Sequence, residues 1–281
     1  MLKQLSGFAR LNIVMVLSVA ILLSTITGLE AAENTIKISG TGGAMAVIKY
    51  MADAFRKKNP DAIILVVTPP LGSKGGIKAV MEGVLDIGLS NRDLQDDEKN
   101  RDVKAIEYGK SPLAFVVRAD NPLSDITSKT VEDIYAGRLA NWQNGPPIRL
   151  VVRPATDMHT IILNNLSPEM KKTVENVLSR KGLAMAATDD ENADLLEKLE
   201  GSFGVSTYSQ VIAEKRRLKV LSLNGVKPAP ETIANGSYPL INTSFLVEKT
   251  KPSPLAKQFT DFILSKEGQA ILKRYGYQVK R

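Results

Sequence analysis

Residues 36–43 read Ile-Lys-Ile-Ser-Gly-Thr-Gly-Gly, and residues 65–76 read Leu-Val-Val-Thr-Pro-Pro-Leu-Gly-Ser-Lys-Gly-Gly. Each stretch is a short apolar strand followed by a glycine-rich turn that opens a helix. The start of a helix carries unpaired backbone N–H groups and a partial positive charge, so it can hold an anion. Glycine lets the backbone approach a ligand closely, and the hydroxyls of Thr41 and Ser73 each add a donor. The two stretches therefore predict a pair of anion-binding turns.

Strand and helix patterns alternate along most of the 281-residue chain, which is typical of α/β proteins with largely parallel sheets. The predicted strands are 36–39, 63–68, 86–90, 112–117, 149–152, 184–187, 204–206, 219–221 and 244–247. The predicted helices are 44–58, 76–82, 131–135, 160–166, 168–180, 191–199, 254–264 and 266–275. A polar, proline-containing segment at 118–122 and the Tyr-Pro pair at 238–239 are interpreted as crossings between two lobes. The first lobe would comprise 33–117 and 241–281, and the second 118–240.

The N-terminal segment, 1–32, is predicted to be a secretory signal peptide. Lys3 and Arg10 form a positively charged region before an apolar run over 11–26, and Ala31 and Ala32 supply the small residues of a cleavage site. The run is shorter than the roughly 20 residues of a spanning helix, and an uncleaved N-terminal anchor is the alternative. No cysteine follows it, so a lipid anchor is not expected. We expect a soluble protein in the periplasm or another extracytoplasmic compartment.

The composition argues against several classes of function. The chain has no cysteine, which removes disulfides, thiol catalysis and thiolate metal sites. The formal net charge of +7 favours anionic ligands. Nucleic acid is not expected as a partner, because aromatic residues are few and the basic runs at 171–172 and 215–217 lie on predicted helices. Neither a metal nor a cofactor is expected, and the protein is predicted to be a monomer.

Four segments carry a family resemblance. They are 72–78 (Gly-Ser-Lys-Gly-Gly-Ile-Lys), 86–94 (Asp-Ile-Gly-Leu-Ser-Asn-Arg-Asp-Leu), 131–142 with its Asn-Trp ending, and 262–269 (Phe-Ile-Leu-Ser-Lys-Glu-Gly-Gln). Their order resembles the phosphate-binding-protein branch of the type II periplasmic binding proteins, the receptors of ABC importers. The resemblance implies an α/β fold of two lobes, each a mostly parallel sheet flanked by helices, joined by a two-segment hinge. It also implies a dehydrated tetrahedral oxyanion clamped between the lobes by hydroxyls, backbone N–H groups and an arginine.

Three positions depart from the pattern of that branch. Ala44 stands where the first glycine turn usually presents a threonine, which leaves Thr41 as the nearby hydroxyl. Asn91 replaces an acidic or serine residue, and its amide both accepts and donates hydrogen bonds. Residues 153–160 read Arg-Pro-Ala-Thr-Asp-Met-His-Thr, with Met158 where the pattern has a serine. The identity of the anion is therefore left open, with phosphate as the lead.

The predicted ligand-binding residues combine backbone amides, hydroxyls, a side-chain amide and guanidinium groups. They are Thr41, Gly42, Gly43, Ser73, Gly75, Gly76, Asn91, Arg92, Arg153 and Thr160. Asn91 and Arg92 follow a strand directly, at the edge where open α/β sheets bind ligands. Arg153 presents a fork of donors suited to an oxyanion. Structural alternatives are a helix cap for the glycine turns, a salt bridge for Arg153 and an ordinary helical position for Thr160.

Two functional hypotheses follow from these observations and from the resemblance. The first is an extracytoplasmic solute-binding protein that captures a small, phosphate-like oxyanion and passes it to an ABC permease in the inner membrane. The alternative is a sensory or accessory protein on the same scaffold, which binds a different ligand or a membrane sensor partner. An enzyme is not expected. His159 and Asp157 invite a hydrolase interpretation, but no Gly-x-Ser-x-Gly motif and no metal-ligand spacing accompany them.

Overall fold

The computed structural model of the chain describes residues 34–143, 145–180 and 182–279. The predicted signal peptide, 1–32, lies outside the described residues. Within the described ranges, no helix is both long enough and apolar enough to cross a membrane.

The described residues form an α/β fold around one long mixed sheet. Its strands are β1 Thr35–Gly40, β2 Ile63–Val66, β3 Ile87–Ser90, β4 Val103–Arg118, β5 Asp125–Ile126, β6 Arg149–Val152, β7 Ala184–Met185, β8 Ser202–Thr207, β9 Leu218–Val220, β10 Ser222–Leu223 and β11 Ile241–Lys249. The strand order is β2-β1-β3-β11-β4-β8-β6-β7, with β9 also paired to β4, while β5 and β10 form a separate parallel pair. Parallel pairing joins β1 to β2 and β3, and joins β6 to β7 and β8. Each half of the sheet therefore contains its own parallel group.

The long strand β4 connects the two halves. Its residues 103–112 pair with β11, and its residues 113–118 pair with β8 and β9, always antiparallel. We call the half that contains β1, β2, β3 and β11 the first lobe, and the half that contains β6 to β9 the second lobe. Pairing partners change between Pro112 and Leu113, and the lobe boundaries predicted at 118 and 240 remain a prediction.

The prediction of β4 was too short. The sequence predicts only 112–117 as a strand, because that stretch is almost continuously apolar. Residues 103–111 mix apolar with charged side chains, and they become strand because β11 supplies partners for their backbone groups. Tertiary pairing thus extends a strand through residues whose local pattern does not indicate one.

Helices connect the strands of both lobes. They are α1 Gly42–Arg56, α2 Gly72–Met81, α3 Asp96–Lys99, α4 Ser128–Ala136, α5 Met158–Asn164, α6 Pro168–Leu178, α7 Asp189–Lys198, α8 Tyr208–Ala213, α9 Pro230–Ala234, α10 Pro254–Leu264 and α11 Lys266–Arg274. The start predicted for α2, residue 76, was wrong by four residues. Three glycines in 72–76 disfavour a helix locally, but packing of α2 on β3 and β1 overrides that preference.

Each lobe has its own hydrophobic core. In the first lobe, Ile38 of β1, Ile48 of α1 and Phe259 of α10 are fully buried in one cluster. In the second lobe, Phe115 of β4 and Phe203 of β8 stack with their ring centroids 5.6 Å apart. Because each lobe is packed around its own core, each can hold its wall of the space between the lobes in a fixed shape.

The packing of α2 on the first-lobe sheet depends on Gly76. A Cβ atom at this position would lie 3.0 Å from Gly40 Cα, 3.2 Å from Ser39 O and 3.3 Å from Leu89 O. All three are backbone atoms of strands, so no side-chain rotation could relieve the contact. At the neighbouring Gly75, a Cβ would meet only the Cβ atom of the exposed Leu71, at 3.0 Å.

We therefore expect Gly76→Ala to lower the free energy of unfolding by about 1–3 kcal/mol, the usual cost of overpacking. Gly75→Ala is the matched control, since it adds the same methyl group to the same helix. It should lie within about 1 kcal/mol of the wild type, because alanine favours a helix over glycine by about that amount. Urea unfolding of the three proteins measures this, and equal destabilisation by both substitutions would contradict the packing role of Gly76.

Candidate functional site

A cleft of about 540 Å³ lies between the lobes, at the carboxyl ends of parallel strands. Thr41 follows β1, Asn91 follows β3 and Arg153 follows β6, and all three line the cleft. Open α/β sheets bind ligands at this edge, because the loops after neighbouring strands converge there. The loops that the sequence singled out therefore share one space.

The N-terminus of α1 opens onto this cleft. Thr41 is the N-cap residue, with an extended backbone, and its hydroxyl does not cap its own helix. Instead, the hydroxyl of Thr41 donates to Asp189 Oδ2 at 2.8 Å, and the amide of Gly43 donates to the same oxygen at 2.8 Å. The partial positive charge at the start of a fifteen-residue helix favours a negative group there. The predicted anion-binding turn thus holds a carboxylate, which comes from the second lobe.

Ser73 and Asn91 support Thr41 from within the first lobe. The side-chain amide of Asn91 donates to Thr41 Oγ1 at 2.9 Å, and its backbone N–H donates to Ser73 Oγ at 3.0 Å. A hydroxyl that accepts from Asn91 directs its own proton elsewhere, and here the proton goes to Asp189. The asparagine therefore acts as a donor, a role that an ionised carboxylate at this position could not fill.

Arg153 supplies the buried cation of the second-lobe wall, with only 5% of its side chain exposed. Its guanidinium donates to Asp157 Oδ2 at 2.7 Å, to Asp189 Oδ1 at 3.2 Å and to the carbonyl of Ala186 at 2.9 Å. Its Nε is buried without a hydrogen-bond partner among the described residues. Two carboxylates thus compensate one guanidinium, and one donor of that guanidinium is left over.

Asp189 is the first residue of α7 and is buried in the cleft wall. Burial acts to raise the pKa of its carboxyl group, but the Coulombic interactions with His159 and Arg153 and the hydrogen bonds from Gly43 and Thr41 outweigh burial and keep the pKa below its ordinary value. The group is therefore ionised at neutral pH. It is a negative charge of the second lobe that is bound by donors of both lobes.

His159 lies between the two carboxylates. Its Nδ1 is 4.0 Å from Asp157 Oδ1, and its Nε2 is 4.0 Å from Asp189 Oδ1. Both ring nitrogens are buried and lack hydrogen-bond partners within the described part of the chain. Its backbone N–H donates to Asp157 Oδ1 at 3.0 Å, which caps α5. The ring thus brings two polar atoms without partners to the cleft wall, where a bound polar group could satisfy them.

Arg92 lines the cleft, but it pairs within its own lobe. Its guanidinium holds Glu98 in a two-point ion pair, with Nη1–Oε2 at 2.6 Å and Nη2–Oε1 at 2.7 Å. The hydrogen bond from Arg92 lowers the pKa of Glu98 despite partial burial of the carboxyl group. The charge of Arg92 is therefore already balanced by a carboxylate of its own lobe, as the charge of Arg153 is balanced in the second lobe.

Six of the ten predicted ligand-binding residues line the cleft, and the other four lie behind its wall or within a helix. Those that line the cleft are Thr41, Gly42, Ser73, Asn91, Arg92 and Arg153. Gly43 lies one residue inside α1 and contributes its amide. Gly75 and Gly76 lie within α2, and Gly76 packs on the sheet. Thr160 is buried, and its hydroxyl donates to the carbonyl of Arg153 at 3.1 Å, so it fixes the main chain of Arg153.

Sequence reasoning missed Asp189. Residues 188–191 read Thr-Asp-Asp-Glu, with Thr188 as N-cap and an acidic first turn, a pattern typical of any well-capped helix. Such a pattern predicts carboxylates that stabilise their own helix. The contact with Gly43 spans 146 positions of the chain, and no local signal indicates it.

Comparison with known proteins places these features in context. The sequence model described as the PBP superfamily domain matches residues 26–267. The phosphate-binding protein PstS of Bacillus subtilis is 28% identical over 262 residues, which cover 89% of this chain and 82% of that protein. The phosphate-binding protein PstS of Borreliella burgdorferi is 25% identical over 254 residues, which cover 87% and 90% respectively.

Solved structures show the same architecture. A candidate phosphate ABC transporter substrate-binding protein from Clostridium perfringens, with bound phosphate, has a TM-score of 0.74 at 28% identity and covers 88% of this chain and all of that chain. A phosphate-binding protein from Stenotrophomonas maltophilia has a TM-score of 0.61 at 11% identity, covering 88% of this chain and 91% of that chain, which is a likeness of fold alone. The two-lobed α/β architecture predicted from the sequence is confirmed.

The low pKa of Asp189 predicts how stability depends on pH. An aspartate with a folded-state pKa below its ordinary value of about 3.9 stabilises the fold above that pH, and the contribution is lost as the pH falls through the folded-state pKa. Asp189→Asn should therefore lower the free energy of unfolding at neutral pH, and the difference from the wild type should shrink below about pH 4. Urea unfolding at stepped pH measures this difference.

Asp261→Asn provides the control for this pH series. It removes an exposed carboxylate of α10 that pairs with Lys257 at 2.7 Å, and exposed pairs contribute about 0.2–1 kcal/mol. A stability difference between wild type and Asp189→Asn that stays constant from neutral pH to about pH 2 would show that ionisation of Asp189 does not stabilise the fold.

Proposed function

Because this chain belongs to the PBP superfamily domain family, we propose that it is an extracytoplasmic receptor for a small oxyanion. The ligand class is phosphate or a chemical relative of phosphate. The protein binds the anion in the cleft between its lobes and delivers it to the permease of an ABC importer.

The observation that carries this proposal is that donors from both lobes meet at one negatively charged group. The hydroxyl of Thr41 and the amide of Gly43 approach from the first lobe, and the guanidinium of Arg153 approaches from the second. Hydroxyl, helix-start amide and guanidinium are the donors that a tetrahedral oxyanion requires. Each hydrogen bond to a charged group contributes about 1.5–3 kcal/mol, so a few of them offset much of the cost of removing the anion from water.

The relatives support the same ligand class. Two curated relatives are named phosphate-binding proteins, and the similar Clostridium perfringens structure contains phosphate. Under this proposal the protein acts outside the cytoplasmic membrane as a monomer, with the permease as its protein partner and without nucleic acid. This assignment agrees with the export signal predicted at 1–32.

A second candidate function has its own observation. Asp157 and Asp189 flank Arg153, so the buried guanidinium is already paired with two carboxylates. A sensory or accessory protein on the same scaffold, with a different ligand or a membrane sensor as partner, would tolerate that neutralised charge. Neighbouring genes discriminate the two functions, since permease and ATPase genes favour import and a histidine kinase gene favours sensing.

We expect the protein to bind at least one oxyanion from a panel of phosphate, phosphite, phosphonate, sulfate, arsenate and tungstate. The affinity should be micromolar or tighter, because several charge-assisted bonds act in a space that excludes water. The same anion should raise the melting temperature, since it binds the folded state only. Thermal-shift measurements followed by titration calorimetry test this. If none of the six anions raises the melting temperature or binds, the second candidate function is favoured.

Ser73→Ala and Arg153→Ala should each weaken binding of that anion at least about tenfold, which corresponds to about 1.4 kcal/mol. The first removes a hydroxyl of the cleft wall, and the second removes the buried cation. Arg149→Ala is the control, because it deletes an exposed guanidinium at the other end of β6. Melting temperatures establish that the variants are folded, and unchanged affinity in both would remove Ser73 and Arg153 from the binding site.

A further inference from the structure

The carboxylate of Asp189 occupies the position where the donors of the cleft converge. Its Oδ2 accepts from the hydroxyl of Thr41 and the amide of Gly43, and its Oδ1 accepts from Arg153. These are one hydroxyl, one helix-start amide and one guanidinium, the set that the proposed function assigns to the oxyanion. A side chain of the protein therefore makes the contacts that the ligand needs.

The backbone is shaped to admit this side chain. A Cβ atom on Gly42 would lie 3.2 Å from Asp189 Cβ and 3.2 Å from an oxygen of Asp190. The glycine turn that could bring the backbone close to a ligand thus brings it close to the start of α7. Asp189 reaches the N-terminus of α1 because no side chain stands between the two helices at this point.

Charge makes simultaneous occupancy unfavourable. Three lysine or arginine side chains line the cleft: Arg153 already faces Asp157 and Asp189, Arg92 is paired with Glu98, and Lys74 is exposed to solvent. An oxyanion placed beside Asp189 would meet a buried negative charge at short range, in an environment that screens it poorly. Once Asp189 withdraws, the hydroxyl of Thr41, the amide of Gly43 and one donor of Arg153 lose their partner and can bind the ligand.

The position of Asp189 on the second lobe couples this exchange to movement of the lobes. Thr41 and Gly43 belong to the first lobe, so separation of the lobes would pull the carboxylate away from them. The long strand β4 runs through both lobes, which allows such a separation by bending near 112–113. A ligand that binds the first lobe while the lobes are apart would then replace Asp189 when they close.

We infer that Asp189 is a tethered internal anion that competes with the ligand for the cleft and holds the two lobes together through Thr41 and Gly43. This inference rests on the proposed function for the identity of the competing ligand. The observed affinity is then the intrinsic affinity of the donors reduced by the competition from Asp189. Removal of the negative charge of Asp189 should tighten binding, whereas removal of a ligand contact would weaken it.

The test compares the wild type with Asp189→Asn and Asp189→Ala by titration calorimetry with inorganic phosphate. Asparagine keeps the shape of the side chain and removes its charge, and alanine removes the competing group altogether. We expect both variants to bind phosphate at least about tenfold more tightly than the wild type. Asp261→Asn, which removes an exposed carboxylate outside the cleft, should bind as the wild type does.

A second measurement reports on the lobes without any ligand. The chain has no cysteine, so Lys78→Cys on α2 and Glu169→Cys on α6 introduce a unique pair of exposed labelling positions, one on each lobe. Spin labels at these positions should show a longer and broader distance distribution in the Asp189→Asn background than in the Asp261→Asn background. Melting temperatures of the labelled variants establish that they remain folded at the temperature of the distance measurement.

Tighter phosphate binding by the Asp189 variants supports the inference, and equal or weaker binding overturns it, because Asp189 would then be inert or a ligand contact. If neither the wild type nor the variants bind phosphate, the calorimetry is repeated with the other anions of the panel, and the proposed function fails separately if none of them binds. The distance measurement then decides: a longer distance in Asp189→Asn supports the internal anion, and an unchanged distance overturns it.

Discussion

The bridge between Asp189 and the start of α1 is the interaction on which the arrangement of the cleft depends. One buried carboxylate accepts from Thr41 and Gly43 on one lobe and from Arg153 on the other. In the low-dielectric space between the lobes these charge-assisted bonds are strong, and each leaves a costly unpaired group when it breaks. Closure of the lobes and satisfaction of the cleft donors are therefore a single physical event.

The long strand β4 of the sheet joins the two lobes on which the bridge is built. Because β4 pairs with β11 in the first lobe and with β8 and β9 in the second, the lobes share a continuous backbone but not a continuous core. Bending of this strand near 112–113 would change the distance across the cleft and leave the two separate cores intact. The loops after β1, β3 and β6 would then move as parts of two rigid walls, which is the behaviour that a clamp for a small ligand requires.

Most of the fold could be predicted from the sequence, because periodicity and glycine turns are local signals. β6 and α10 match their predicted bounds, and β1 and α1 differ from them by one or two residues. The short helices α3, α8 and α9 and the strand pair β5 and β10 were not predicted. Two errors of extent fall where tertiary contacts decide. β4 is lengthened by its pairing with β11, and α2 begins in a glycine-rich turn because it packs on the sheet through Gly76. Neither the pairing with β11 nor the packing on the sheet can be predicted from the residues that flank β4 or α2.

For the candidate site, the sequence alone indicated four loops that line the cleft: the two glycine turns, the polar end of β3 and the segment after β6, which contain Thr41, Ser73, Asn91 and Arg153. The sequence indicated these loops because local patterns of apolar, glycine and polar residues predict where strands end and helices begin. The group that the donors of those loops bind is visible only in the folded protein. Asp189 belongs to a helix whose sequence resembles any acidic helix start, and its contact with Gly43 spans 146 positions. The distance between Asp189 and the start of α1 depends on how the two lobes close, and no local sequence pattern predicts that distance.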